Sequence, residues 1–390
     1  MKYKLGLKHR ILFYVVITFL ALGVALFITQ HDQSSHHSGN LTTLEQLRDK
    51  ADTDPKAQYQ LGWSYDHGDG VEQDYVQAAE WYRKAANAGH PRAQNELGGL
   101  YENGHGVEQD YEQAMEWYRK AAAQDHPTSI GNLGRMYLFG FGLEQDYAEA
   151  SEWFRKAAEM GHAESQNSLA NLHLDGNGVA KDDVEAAKWK RKAAEAGLAL
   201  AQTELGSLYF SGRGVEQDRI EAGYWYRKAA DGGNEEAIGF LREASLFCTE
   251  AVKGTLGRES YCLVSAGAGY PDGQFSVGTY HDSGHFLSKD KEKASEWFRK
   301  AAEQGHALAQ ALLGKALAEG DGVPRDDTEA YAWFSVLANH TPHNDRDRFA
   351  VEGAIVMKTL LLNRMSETEK SEAKRKSEKY NELYLNKNAK

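Results

Sequence analysis

The 390-residue chain has little cysteine, little proline and only one long apolar run, close to its start. Two cysteines exclude a disulfide-built scaffold and a cysteine-rich zinc site. Six prolines beside abundant Ala, Glu, Lys, Gln and Tyr favour helix. An excess of positive charge is also missing, since the formal net charge is −12. Lys2, Lys4, Lys8 and Arg10 stand at the start without an acid, which leaves about −16 on the rest. A body that acidic repels phosphate backbones, so nucleic acid is excluded as a partner. With 41% apolar and 26% charged residues the chain is neither disordered nor a multi-span membrane protein. Its 38 glycines are many for a helical protein and belong at helix ends. The length calls for several domains or one extended repeat array.

Residues 11–29 are nineteen residues without a charge. As a helix they span about 28 Å, one bilayer core. The basic segment 1–10 then stays cytoplasmic and the body lies outside. The run ends Ala25-Leu26-Phe27-Ile28-Thr29-Gln30, a poor cleavage site, and no Cys follows. The expectation is an uncleaved transmembrane signal-anchor at 11–29, single-pass in an inner membrane, with a periplasmic body. Secretion after cleavage is the alternative. Residues 30–40 form a polar linker, in which His31, His36 and His37 read as solvated rather than metal-binding.

A period of thirty-six governs the remainder. Trp81, Trp117, Trp153, Trp189, Trp225, Trp297 and Trp333 share it, with Tyr261 in the open place. So do Leu61, Leu97, Leu133, Leu169, Leu205, Leu241 and Leu313. Each unit has a first amphipathic stretch (helix A), such as 57–67, with Ala57, Leu61, Ser64 and Tyr65 on one face. A turn follows, G-D-G-V-E-Q-D at 68–74, and recurs at 104–110, 140–146 and 212–218. Its first Gly ends helix A in the left-handed conformation, and Asp74, Asp110, Asp146 and Asp218 cap helix B. Within helix B, Glu80–Lys84, Glu116–Lys120 and Glu152–Lys156 have the spacing of i,i+4 ion pairs. The expected fold is all-α: an α-solenoid of eight helix–turn–helix repeats over 57–344. An N-terminal capping helix within 41–56 precedes it, and C-terminal capping helices within 345–390 follow. Ser366 and Glu369 there have capping-box spacing.

The motif A-x-x-x-L-G-x-x-Y-x-x-G-x-G-V-x-x-D, closed by A-x-x-W-Y/F-x-K-A-A-x-x-G, resembles the Sel-one-like repeat, a relative of the tetratricopeptide repeat. The resemblance covers about 57–344. It implies protein–protein interaction, with no enzymatic role, no cofactor and no small-molecule substrate. For cysteine-rich relatives it also implies penicillin binding or β-lactamase activity, and an exported host-interaction factor is a further alternative. The irregular repeat 237–272 departs from the motif. Arg242 replaces the helix A Gly, Cys248 the turn Gly and Tyr261 the Trp. Cys248 and Cys262 lie fourteen residues apart there and are expected to pair in an oxidising compartment.

Other motifs read as structure. G-x-G is followed by Asp, which is wrong for an anion site. His90, His126, His162 and His306 stand too far apart for one zinc. Ser371 and Lys374 match S-x-x-K but lack its companion motifs. The positions that the period leaves variable on helix A carry the candidate partner-binding surface: Arg135, Leu138, Phe139, Asn171, Leu174, Ser207 and Phe210. They are expected on the concave side, open to a protein or peptide.

Overall fold

The computed structural model describes residues 44–248, 258–342 and 344–385, which form nineteen helices. The apolar run 11–29, its flanking segments 1–10 and 30–40, and the segment 249–257 of the irregular repeat lie outside the described residues. Among the described residues no helix is long and apolar enough to cross a membrane.

The chain divides into two compact units, residues 1–93 with 105–107 and residues 94–104 with 108–390. In the first, α1 (Leu44–Ala51), α2 (Pro55–His67) and α3 (Tyr75–Asn87) enclose Ala51, Ala57 and Leu61, with Leu47 and Trp81 against them. The first repeat begins at Pro55, two residues before the expected 57. Asp54 accepts the backbone N–H of Lys56, and proline suits the first helical turn because no intrahelical donor is needed there.

Helix α4 (Pro91–Asn103) starts in the first unit and continues in the second. The second unit then alternates A and B helices: α5 (Tyr111–Ala122), α6 (Pro127–Phe139), α7 (Tyr147–Glu159), α8 (Ala163–Asp175) and α9 (Asp183–Glu195). Next come α10 (Ala199–Ser211), α11 (Arg219–Asp231), α12 (Glu235–Cys248) and α13 (Arg258–Gly267). After these follow α14 (Pro271–Ser283), α15 (Lys291–Ala302), α16 (Ala307–Glu319) and α17 (Asp327–Ala338). The end is covered by α18 (Asp345–Arg364) and α19 (Glu367–Tyr384), the latter opened by the Ser366–Glu369 capping box.

The repeat chemistry explains each boundary. Gly140, Gly176 and Gly212 end A helices at φ 72°, 76° and 74°, where a Cβ would be strained. Asp146, Asp182 and Asp218 each accept two backbone N–H groups at the start of a B helix. The second glycine of the turn has a different duty. A Cβ on Gly178 would overlap the carbonyl oxygen of Tyr147, at the start of the preceding B helix. The turn of one repeat thus lies directly on the backbone of its neighbour.

The periodic leucines Leu133, Leu169 and Leu205 are fully buried. Each such burial contributes about 2 kcal/mol. The periodic glycines of helix A make room for an aromatic ring on helix B. A Cβ at Gly134 would stand 2.8 Å from the ring of Phe154, and one at Gly206 3.2 Å from that of Tyr226. The tryptophans are unequal. Trp333 is fully buried, whereas Trp153 is half-buried with its indole N–H on Glu149.

The i,i+4 ion pairs expected on the B helices are not what these lysines make. Lys84 and Lys120 each lie 3.8 Å from the ring centre of the tryptophan three residues earlier, Trp81 and Trp117. Lys156 pairs with Asp125 at 3.3 Å. An exposed ion pair gains a fraction of a kcal/mol, and a cation over an indole face gains as much while covering its apolar surface.

Candidate partner-binding face

Variable positions of the A helices in the second unit line one face, and a row of polar side chains runs beneath it. On α4, Glu102 is buried. It accepts the Tyr118 hydroxyl from α5 at 2.8 Å and the forked guanidinium of Arg135 from α6, with Nη2 to Oε2 at 2.7 Å. Burial and the Glu102 charge both push the Tyr118 hydroxyl well above its usual pKa, so it stays a donor. Burial opposes the Arg135 charge, but Glu102 and its hydrogen bonds outweigh it and hold the guanidinium above its ordinary value. Next along the row, Asn95 accepts Ser129 Oγ at 2.8 Å and Asn132 Nδ2 at 3.2 Å. Asn132 in turn accepts Arg135 Nη2 at 3.3 Å.

A second cluster surrounds Lys190, whose exposure is 0%. Counting by thirty-six, its place in the other B helices holds Tyr82, Tyr118, Phe154, Tyr226, Cys262, Phe298 and Phe334. In this repeat Ala170 stands where most repeats place the glycine that receives the ring. The Lys190 ammonium meets Asn167 Oδ1 and Asn171 Oδ1, each at 2.6 Å, and a Glu204 carboxylate oxygen. Three donors find three acceptors, which is what a buried ammonium needs. Burial lowers the Lys190 pKa and Glu204 works against that shift.

The nominated residues divide accordingly. Phe139, 55% exposed, and Ser207 lie open on the face. Leu138, Leu174 and Phe210 are half-buried. The two leucines pack on the core of α7–α9, and Phe210 on that of α10–α13, with its ring 5.8 Å from Phe240 and 6.3 Å from Tyr261. Arg135 and Asn171 are drawn inward onto Glu102 and Lys190. Lys190 and Glu102 themselves were missed by the sequence reading. The signal for Lys190 was present, because it is the lone cation in an otherwise aromatic or thiol column.

Elsewhere, Cys248 and Cys262 form a disulfide with a Cα separation of 5.2 Å, joining the end of α12 to α13. His90 and His306 are helix caps, their Nδ1 atoms each accepting a backbone N–H at 3.2 Å, from Ala93 and Ala309. His126 and His162 meet Ser129 Oγ and Ser165 Oγ at 3.0 and 2.8 Å. Among the described residues no His, Cys, Asp or Glu group could hold a metal ion. Ser371 is exposed on α19 and donates to the Glu367 carbonyl, and Lys374 is exposed too.

An all-α repeat solenoid with a polar A-helix face defines the class. The Sel1 repeat model matches residues 55–90, 91–126, 128–162, 163–198, 199–234, 271–306 and 307–340. The chain belongs to the Sel1 repeat family. The irregular unit falls outside those seven matches, yet α12 and α13 fill its place as a helix pair. A protective antigen of uropathogenic Escherichia coli strains, displaying an SLR fold, is 30% identical over 87% of each chain, with a TM-score of 0.45. A Sel1 repeat protein from Oxalobacter formigenes is 31% identical over 56% of this chain and 96% of its own, with a TM-score of 0.49. An exopolysaccharide production negative regulator of Rhizobium leguminosarum bv. viciae is 42% identical over 53 residues. That match covers 14% of this chain and about a fifth of the regulator, 20% of its length. Proteins of this repeat family are generally protein-interaction scaffolds, typically without enzymatic activity.

Proposed function

We propose that this protein is a membrane-anchored, exported scaffold that holds a protein or peptide partner on the A-helix face of α6, α8 and α10. The exposed Phe139 carries the reading. Its ring stacks on Phe141 at 5.4 Å, yet more than half of it stays in water, and covering that remainder by a partner is favourable. Family membership supports a binding role over catalysis. The uncharged run 11–29 behind four basic residues supports an inner-membrane anchor with the body outside. Export also fits the cystine in α12–α13.

The test is site-specific photo-crosslinking in the protein's own cells. A crosslinker at Phe139 or Ser207 should trap one partner, and one at Glu195, at the end of a B helix, should not. Equal trapping at the three sites, or none at Phe139 and Ser207, would place the partner elsewhere. Protease added outside the inner membrane should degrade the body, and its survival there would refute export.

A further inference from the structure

Helix α18 buries Ala354 and Leu361 in the core beneath it and leaves a stripe of apolar side chains in water on its other side. Phe349 is 79% exposed, and Val356 and Leu360 are each more than half exposed. With Gly353 they stand at i, i+4, i+7 and i+11, one helical face. Gly353 is exposed as well, and a Cβ there would meet nothing within 4 Å. Glycine is a poor helix former, so inside a helix it needs a reason. At Gly134, Gly278 and Gly314 the reason is a ring, since each takes the phenyl group of a facing helix, Phe154, Phe298 and Phe334. Gly353 offers the same seat with no ring on it. Phe349, one turn away on the same face, is a ring left in water.

We propose that this face is an interface with a second copy of the chain. Two α18 helices pack antiparallel about a two-fold axis level with residue 351, and each Phe349 ring seats on the other copy's Gly353. The inference goes beyond the scaffold reading and does not rest on it. Three arguments select the occupant. A two-fold contact has to be self-complementary, and this face carries both ring and seat. Charge agrees with that register. A two-fold axis sets each flank of the stripe against the same flank of the other copy. Arg348 and Glu352 share one flank and are both exposed. Across the axis they stand about 3 Å apart in height, so the same ion pair forms twice. Arg348 also holds Asp345 at 3.4 Å in an exposed pair, which leaves further guanidinium donors for Glu352. Farther out, Val356 falls opposite Arg346 and Leu360 opposite Pro342, all of them exposed. The third argument is that a bilayer surface suits the face badly. Asp345, Asp347 and Glu352 offset Arg346 and Arg348, whereas helices that lie on membranes are flanked by an excess of Lys and Arg. Two helices touching over about three turns bury on the order of 800 Å² in total, the low end for a specific contact, so the dimer is of micromolar affinity.

The full chain in detergent micelles, followed by sedimentation from about 1 to about 100 μM, should pass from monomer to dimer. A chain that stays monomeric throughout would overturn the proposal. Phe349→Asp should weaken the dimer at least tenfold and melt as the wild type does. Gly353→Leu makes the face more apolar and the helix no less stable, yet it should also weaken the dimer at least tenfold, because the seat is filled. A tighter dimer in that variant would mean that the face is merely sticky, and would overturn the ring-on-glycine contact. Glu352→Arg and Arg348→Glu should each weaken the dimer about threefold, and the two together should restore it. A combined variant no stronger than the single ones would overturn the antiparallel register. A photo-crosslinker at Val356 in the protein's own cells should give an adduct of twice the chain's mass. An adduct to lipid, or to a different protein, would show that another occupant covers α18 and would overturn the proposal. Crosslinking at Phe139 reads the scaffold function separately, so either reading can fail while the other stands.

Discussion

The regular pair α6–α7 and the irregular pair α12–α13 build the same shape from different chemistry. In α6–α7 a left-handed Gly140 ends the first helix, Asp146 caps the second, and Phe154 sits on Gly134. In α12–α13 the turn glycine and the helix B aromatic are replaced together, by Cys248 and Cys262, which bond to one another. Leu241 and Ala244 stay buried, so the inner face of helix A survives. What was lost locally is regained covalently and by a ring cluster. Tyr261 stacks on Phe247 at 4.8 Å, and Phe240 lies 4.5 Å from Tyr226. The repeat therefore tolerates loss of its turn and aromatic signature as long as its leucine face remains.

The two regions differ most in how closely helix B approaches its predecessor. A Cβ on Gly223 of α11 would overlap the carbonyl oxygen of Val264 in α13, and one on Gly267 would overlap that of Ile220. At the place of Gly223 the regular repeats carry Ala79, Met115, Ser151 and Ala187. Gly223→Ala is therefore expected to cost about 3 kcal/mol by overpacking, although alanine is the better helix former. The reciprocal Ala187→Gly should cost about 2 kcal/mol, from helix propensity and the loss of a buried methyl. Urea unfolding of both variants measures the contrast, and equal losses would show that the close approach is not rigid.

The covalent staple comes next. Replacing Cys248 and Cys262 by alanine should cost about 3 kcal/mol, the loop-closure value for a span of this length. In a repeat array the loss should stay local, so hydrogen exchange should accelerate in α12 and α13 and hardly change in 127–211. Acceleration spread evenly over both regions would mean that the array unfolds as one body.

The same comparison shows what the chain reveals when it is read alone. The all-α solenoid was legible because Trp, Leu and turn Gly recur at one spacing, and each has one structural duty. The irregular unit was legible as a departure, but not the closeness of Gly223 to Val264. That contact joins positions in different repeats and has no period. The side chains of the binding face were legible only as a set of variable positions. Whether Leu174 lies open or leans on the core depends on neighbours such as Val179, packed in the same cluster. The fate of Asn171 depends on one lysine nineteen residues later. The lysines of helix B misled because i,i+4 spacing suggested acids, while a tryptophan at i−3 offered a broader surface.

Tryptophan is the third contrast. Trp153 is half-buried against the α5–α6 core, so Trp153→Ala should cost about 2 kcal/mol, less than a fully buried indole would. In the irregular unit Tyr261 holds the same place within a ring cluster. Tyr261→Trp should be tolerated there, with a loss under about 1.5 kcal/mol. A larger loss at 261 than at 153, read from calorimetric unfolding, would show that the irregular unit is the more tightly packed of the two.

The smallest contrast is in acid. Four regular A helices open on a histidine, at 90, 126, 162 and 306, whereas Leu198 holds that place in one regular repeat and Asn234 and Tyr270 hold it around the irregular unit. Asn234 caps α12 by accepting the Ala237 N–H at 2.9 Å and does not titrate. His90 can accept the Ala93 N–H only while Nδ1 is unprotonated. Burial, and then Arg92, lower its pKa below the ordinary 6.5. Burial also lowers that of His162, against the opposing charge of Glu164. A lowered folded-state pKa means that the unfolded chain takes up the proton first. The contribution is then complete above about pH 6.5 and is lost as the pH falls through the folded value. Between pH 7.5 and 5.5, protection relative to the intrinsic exchange rate should fall in the first turns of α4 and α8 and stay constant in that of α12. His90→Asn keeps a capping oxygen and removes the titration. It should change stability at pH 7.5 by no more than about 0.5 kcal/mol and should flatten the pH dependence at α4. A pH response of α4 that survives this substitution would mean that another group, and not the capping histidine, senses the proton.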